Sequence, residues 1–220
     1  MNRTGVTMNP TLSRELIEGA KLTPVVGKFA DYVAAQRAFG AETATIGSLP
    51  PAVGDVNLVL LDKMGERLAF ERSGTRLYDA LAVKLQARGD ASDLPSLADV
   101  QKIRDEEHEH ALMLQQSIEQ LGGDPTILTP SANVNLAASL GLVQILTDPR
   151  TTVVQALHAI LIAELADNAA WELLQELAED AGEKELARKF AQALEEEGEH
   201  EANVSAWVRE LVRVEAGFGT

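Results

Sequence analysis

Glu197-Gly198-Glu199-His200 has an earlier counterpart in the same chain, Glu107-His108-Glu109-His110. On a helix, Glu-x-x-His sets a carboxylate and an imidazole one turn apart on one face. Both stretches lie inside long segments whose apolar residues recur at helical spacing, so the phase of that recurrence tells which way the two side chains point.

Around the later stretch the apolar stripe is Leu186, Phe190, Ala193, Val204, Trp207 and Leu211, with Glu197 and His200 in its middle. Around the earlier one it is Val100, Ile103, Leu114, Ile118 and Leu121, with Glu107 and His110 at its centre. A shift of one residue runs through Asp99, Lys102 and Gln120 instead, so Glu106, His108 and Glu109 are expected to face water. The acidic run Glu195, Glu196, Glu199 and Glu201 reads as a solvated face for the same reason.

Two more helices carry one inward carboxylate each. Glu71 interrupts the stripe of Leu60, Leu61, Met64, Leu68, Thr75, Tyr78, Leu81 and Leu85; Glu164 interrupts that of Leu157, Ile160, Leu161, Asn168, Trp171, Leu174 and Ala178. A mid-helix Glu followed 36 or 33 residues later by Glu-x-x-His thus occurs twice. Trp171 and Trp207 are expected core residues, and His158 a surface or structural histidine.

The four helices are expected over about Val56–Arg88, from after Ser96 to Leu121, from Asp148-Pro149 to Asp180, and over about Glu183–Val214. Their stops are Gly89, Gly122-Gly123-Asp124-Pro125 and Gly182. Ser96-x-x-Asp99 resembles a capping box, and Asp148 before Pro149 reads as cap and first helical position. Nothing alternates with period two over a useful length, so the class is all-α. Short links make helices 1 and 2, and helices 3 and 4, antiparallel hairpins; the long stretch Gly122–Thr147 between them is expected to be a crossover. Residues 1–54, with two short amphipathic helices broken at Thr23-Pro24 and an irregular linker, are expected to form an N-terminal extension, and 55–220 the bundle domain.

A net charge of −15 argues against nucleic acid and anionic membrane surfaces as partners. The absence of cysteine excludes disulfides, thiol catalysis and iron–sulfur clusters, so any metal must be held by oxygen and nitrogen. No uninterrupted apolar run nears the roughly 20 residues of a membrane span, and a soluble cytoplasmic protein is expected. A homodimer is the expected assembly, because the amphipathic extension has apolar surface to place.

Six ionisable groups on the apolar faces of four helices need compensation. An unpaired carboxylate in a core costs several kcal/mol, and two divalent cations would cancel four of them. Glu71 to Tyr78, Asp105 to His110, Leu121 to Pro125, Ala163 to Asp167 and Glu195 to His200 together resemble the ferritin-like superfamily of di-iron and di-manganese carboxylate bundles, nearest to rubrerythrin and bacterioferritin-type domains. The resemblance covers roughly residues 56–214 and implies a ferritin-like four-helix bundle with one long crossover. It implies Glu71 and Glu164 as terminal ligands, Glu107 and Glu197 as bridges, and His110 and His200 as nitrogen ligands. Tyr78 would hydrogen-bond near the centre, and Asp167 stands where rubrerythrins place an additional carboxylate. It further implies two iron ions, or manganese in a catalase-like alternative, acting on dioxygen or hydrogen peroxide with an external electron donor. A non-catalytic metal-binding bundle is the reading from another class. Neither a rubredoxin module beside the bundle nor a fifth helix after Val214, as in ferritin cages, is expected.

Overall fold

A computed structural model describes residues 57–87 and 94–218. The expectations for residues 1–54, for Asp55 as a cap and for Gly89 as a stop lie outside the described residues. Among the described residues five helices follow one another: α1 (Leu58–Ala87), α2 (Leu97–Gln120), α3 (Pro130–Thr147), α4 (Val153–Asp180) and α5 (Lys184–Glu215). The all-α expectation holds, with no strand among the described residues.

Local chemistry explains where the helices begin and end. Asn57 Oδ1 accepts the Leu60 N–H at 3.0 Å, and Ser96 Oγ accepts the Asp99 N–H at 3.1 Å, so α1 and α2 are side-chain capped. After α2 and α4 the chain turns on glycines with positive φ, Gly122 at 79° and Gly182 at 78°. In each case the following residue bonds back into the last turn, Gly123 N to Ile118 O and Glu183 N to Ala178 O.

Two boundaries differ from expectation. The connector between the second and third expected helices is itself helical over α3. Thr129 and Pro130 supply its start signal, and because its sequence is apolar on several sides, no single stripe marks it. The next helix opens at Val153 rather than Pro149: Thr152 and Gln155 form a reciprocal capping box. Asp148 is engaged elsewhere, accepting the Arg150 N–H at 2.9 Å and the Arg150 side chain, while its carbonyl accepts Lys84 Nζ at 2.9 Å.

The described residues fall into two compact units. In the first, 57–69 with 114–137, the buried Asp62 carboxylate accepts the Ser131 N–H at 3.0 Å and its hydroxyl at 2.6 Å, which caps α3 from a different helix. In the second, 70–87 and 94–113 with 138–218, Tyr78, Leu81, Val100, Ile103, Leu146, Leu157, Ile160, Val204 and Trp207 share one core. Four helical stretches, from α1, α2, α4 and α5, form a bundle around it. Both hairpins are antiparallel: Glu71 meets His110 on one, and Trp171 meets Phe190 while Asn168 meets Glu197 on the other. By length and apolar content α4 could cross a bilayer. Its inward face instead carries Glu164 and Asp167 among aliphatic residues, the composition of a core helix built around a polar site.

Candidate metal centre

The stripes bring their interrupting residues together. Glu71, Glu107, His110, Glu164, Glu197 and His200 are all buried and all lie in the second unit. Ligand atoms of Glu107, Glu164, Glu197 and His200 lie within 4.8 Å of one another, as do those of Glu71, His110 and Glu197. Asp167, one turn beyond Glu164 and 1% exposed, joins Glu71, Glu107 and Glu197 within the same limit.

Glu197 sits between the two imidazoles. His110 Nδ1 donates to its Oε1 at 2.8 Å and His200 Nδ1 to its Oε2 at 3.1 Å. Glu71 Oε2 stands 3.7 Å from His110 Nδ1, and Glu107 Oε1 stands 3.6 Å from His200 Nδ1. Tyr78 donates to Glu164 Oε1 at 2.5 Å, across from the other hairpin. Trp171, at the position on α4 that Tyr78 holds on α1, sets its ring edge-on to His110 with centroids 5.5 Å apart. Asn168 fixes the backbone of both α4 and α5 by donating to the carbonyls of Glu164 and Glu197, each at 3.1 Å.

The far nitrogens of the two histidines correct one expectation. His110 Nε2 meets Glu196 Oε2 at 2.8 Å and His200 Nε2 meets Glu106 Oε2 at 3.1 Å. Both carboxylates were expected on solvated faces; each is only partly exposed and reaches sideways to the facing helix. Their signal in the sequence is the doubled acid, Glu106-Glu107 and Glu196-Glu197. His108, Glu109, Glu195 and Glu199 are exposed as expected, and so is His158.

Electrostatics separates the carboxylates. Burial, and after it the charges of Glu197, Glu71 and Glu164, pushes the Glu107 carboxyl well above the ordinary range. Burial also raises Glu164, to about 8, with the charge of Glu197 adding to it and the Tyr78 hydrogen bond pulling back. For Glu197 burial acts upward, but hydrogen bonds from His110 and His200 outweigh it and hold this carboxyl at about 2. Burial acts against a charged His110, yet the hydrogen bond to Glu197 and the nearby Glu71 carboxylate carry it up to about 11. His200 is raised by its Glu197 hydrogen bond against the same burial. Tyr78 is held well above its ordinary value, first by burial and then by the charge of Glu164, so it remains a hydroxyl donor.

The cluster fits a pair of divalent cations. Glu107 Oε2 and Glu164 Oε2 are buried with no hydrogen-bond partner, which costs stability unless something positive meets them. Carboxylate and imidazole donors are those that iron and manganese take. The Nδ1 atoms face the carboxylates while the Nε2 atoms are tied to outer carboxylates, the orientation of metal-ligating histidines.

Comparison with known proteins agrees. The family model described as Rubrerythrin matches residues 64–207, a span that contains every residue of this cluster. No curated protein matches the chain. A ferritin-like, diiron-carboxylate protein from Bacillus anthracis str. Ames is similar in structure, with a TM-score of 0.57 at 21% identity, over 71% of this chain and 99% of that one. That likeness bears on the fold, which is ferritin-like. With its family match extending over well more than half of the sequence, the chain belongs to the rubrerythrin family of ferritin-like diiron-carboxylate proteins.

Proposed function

We propose that the chain is a non-haem di-iron oxidoreductase that reduces hydrogen peroxide or dioxygen as Fe(II) is oxidised to Fe(III). The observation that carries this reading is the convergence of two Glu-x-x-His pairs and two lone glutamates from four helices into one buried cluster. Glu71 and Glu164 would each hold one metal, Glu107 and Glu197 would be shared between the two, and His110 and His200 would each add a nitrogen. Two irons bound there would supply one electron each, enough with two protons to reduce one hydrogen peroxide to two waters.

The chain's own residues provide the rest. Glu106 and Glu196 fix the imidazole orientations, and Tyr78 holds the Glu164 carboxylate with a proton that stays on the phenol. Trp171 and Phe190 pack at 5.5 Å on the His110 side and exclude water there. An external electron donor would return the centre to Fe(II).

The test is metal analysis of protein purified without chelators, followed by peroxide and dioxygen consumption after anaerobic loading with Fe(II). About two iron per chain are expected, with consumption lost in Glu107→Ala and Glu197→Ala. Variants that lose metal yet consume peroxide at the wild-type rate would overturn the site. A wild-type protein that takes up no metal would overturn the function.

A further inference from the structure

Gly74 lies in the interior of α1, one turn beyond Glu71 and one turn short of Tyr78. Glycine weakens a helix interior relative to alanine, so helix formation by itself disfavours it here. A Cβ at this position would overlap Glu107 Oε2 and come within 2.9 Å of Glu107 Cδ, closer than side-chain carbons approach. Glu107 is 1% exposed, and the Oε2 that lies against Gly74 is the one without a hydrogen-bond partner. The bare backbone of α1 is thus one wall of the space this carboxylate occupies.

The other hairpin and the other glycines show that this is local. One turn beyond Glu164, the equivalent position on α4 does carry a side chain, Asp167, whose oxygen joins those of Glu71, Glu107 and Glu197. Gly141 in α3 has nothing within 4 Å of an added Cβ, Gly198 in α5 has only Asn168 Oδ1 at 4.0 Å, and Gly65, also in α1, is filled by Thr129, which is not part of the cluster. Among these helix-interior glycines, Gly74 alone is filled by a residue of the cluster.

We infer that Gly74 is a positioning residue for the metal centre: its missing side chain is the recess that holds the Glu107 carboxylate, and a methyl group there displaces it. The inference rests on the metal-binding reading above, in which Glu107 serves both metals. It gives the glycine a role that helix propensity opposes, so the two explanations predict opposite signs for one substitution.

The experiment compares Gly74→Ala with Gly141→Ala in the full chain, reading iron per chain after anaerobic loading with Fe(II) and the melting temperature of chelator-treated protein. Gly141→Ala is expected to melt higher and to keep about two iron. Gly74→Ala is expected to melt lower than wild type and to fall to about one iron or fewer. Gly74→Ala/Glu107→Asp, whose carboxylate is drawn back by one methylene, is expected to recover iron relative to both of its parent single variants. Recovery of that kind separates positioning from a general loss of packing. The inference is overturned if Gly74→Ala binds as much iron as wild type and gains stability as Gly141→Ala does. Should Gly74→Ala fail to fold, the double variant decides: recovery supports the recess and continued failure overturns it. Should wild type itself bind no iron, the functional reading fails, and the signs of the metal-free melting shifts alone decide for or against the recess.

Discussion

His110 Nε2 meets Glu196 Oε2 at 2.8 Å, across the two helices that each supply a Glu-x-x-His pair, and His200 repeats the relationship with Glu106 at 3.1 Å. Each outer carboxylate immediately precedes the inner glutamate of its own helix and serves the histidine of the other. The two hairpins are therefore tied at both imidazoles, and each Nδ1 is left facing the inner carboxylates.

Glu196→Gln keeps the shape of the outer group and removes its charge, so an imidazole held by a carboxylate becomes one held by an amide. Metal affinity is expected to fall by about 10- to 100-fold, the usual effect of losing such a partner. Glu106→Gln should act in the same direction. Glu195→Gln and Glu199→Gln alter exposed neighbours with no bond to either ring and should leave affinity unchanged. Competition with a chromophoric chelator reads all four; equal affinities throughout would show that the outer carboxylates do not matter.

Tyr78→Phe removes the donor to Glu164 Oε1, a 2.5 Å contact between the two hairpins in the buried site. Glu164 Oε2 already lacks a partner, so the variant leaves both oxygens of a buried carboxyl unbonded. The metal-free protein is expected to lose about 1–3 kcal/mol, the cost of leaving a buried polar group without its partner. Urea denaturation measures this, and a loss below about 0.5 kcal/mol would mean that the bond contributes little.

Much of the centre was legible because its residues sit on long helices whose aliphatic neighbours set the phase. Leu114, Ile103 and Val100 fix where Glu107 and His110 point, and Phe190, Ala193 and Val204 do so for Glu197 and His200. The same rule misplaced Glu106 and Glu196. A stripe treats a residue one step off the core as solvated, whereas a glutamate at the edge of an interface has the length to reach the facing helix. The cap of α4 was a choice between two adjacent start signals, Asp148-Pro149 and Thr152-x-x-Gln155, and Arg150 and Lys84 take up Asp148. The recess at Gly74 had no signal beyond a glycine where helix propensity prefers something else, since what fills it comes from another helix.

Stability of the chelator-treated protein is expected to fall as pH rises from about 5 to about 9. Glu107 and Glu164 have folded values above the unfolded value of about 4.3, so they favour folding at low pH and lose that contribution as pH climbs through their folded values, about 8 for Glu164. His110, raised to about 11, contributes fully below its unfolded value of about 6.5 and progressively less above it. Glu197, held at about 2, runs the other way, but its contribution is complete above about pH 4.3 and is lost only on further acidification. Metal-loaded protein should show the opposite slope over the same range, because binding displaces these protons. Thermal melts at about pH 5.5, 7 and 8.5 with and without metal read both slopes; a metal-free midpoint that rises across the range contradicts the assignment.

Glu107→Gln should make the metal-free protein more stable and the metal centre worse. The Glu107 side chain is 1% exposed, its Oε2 is unbonded, and the carboxylates of Glu197, Glu71 and Glu164 disfavour its ionisation. A neutral amide of nearly the same volume removes that repulsion and brings two N–H donors to a cluster rich in acceptors. The amide avoids the cost of keeping a buried carboxyl protonated above its unfolded value, about 1–4 kcal/mol. A gain in that range at about pH 7 is expected in metal-free protein, together with loss of metal from the same variant, because an amide is a poor ligand where a carboxylate is shared by two cations. A fold that keeps so unfavourable a group at its centre is trading stability for binding. Should the variant be less stable without metal, Glu107 would instead be making a favourable contact within the fold, and the balance of charge in the cluster would have to be redrawn around it.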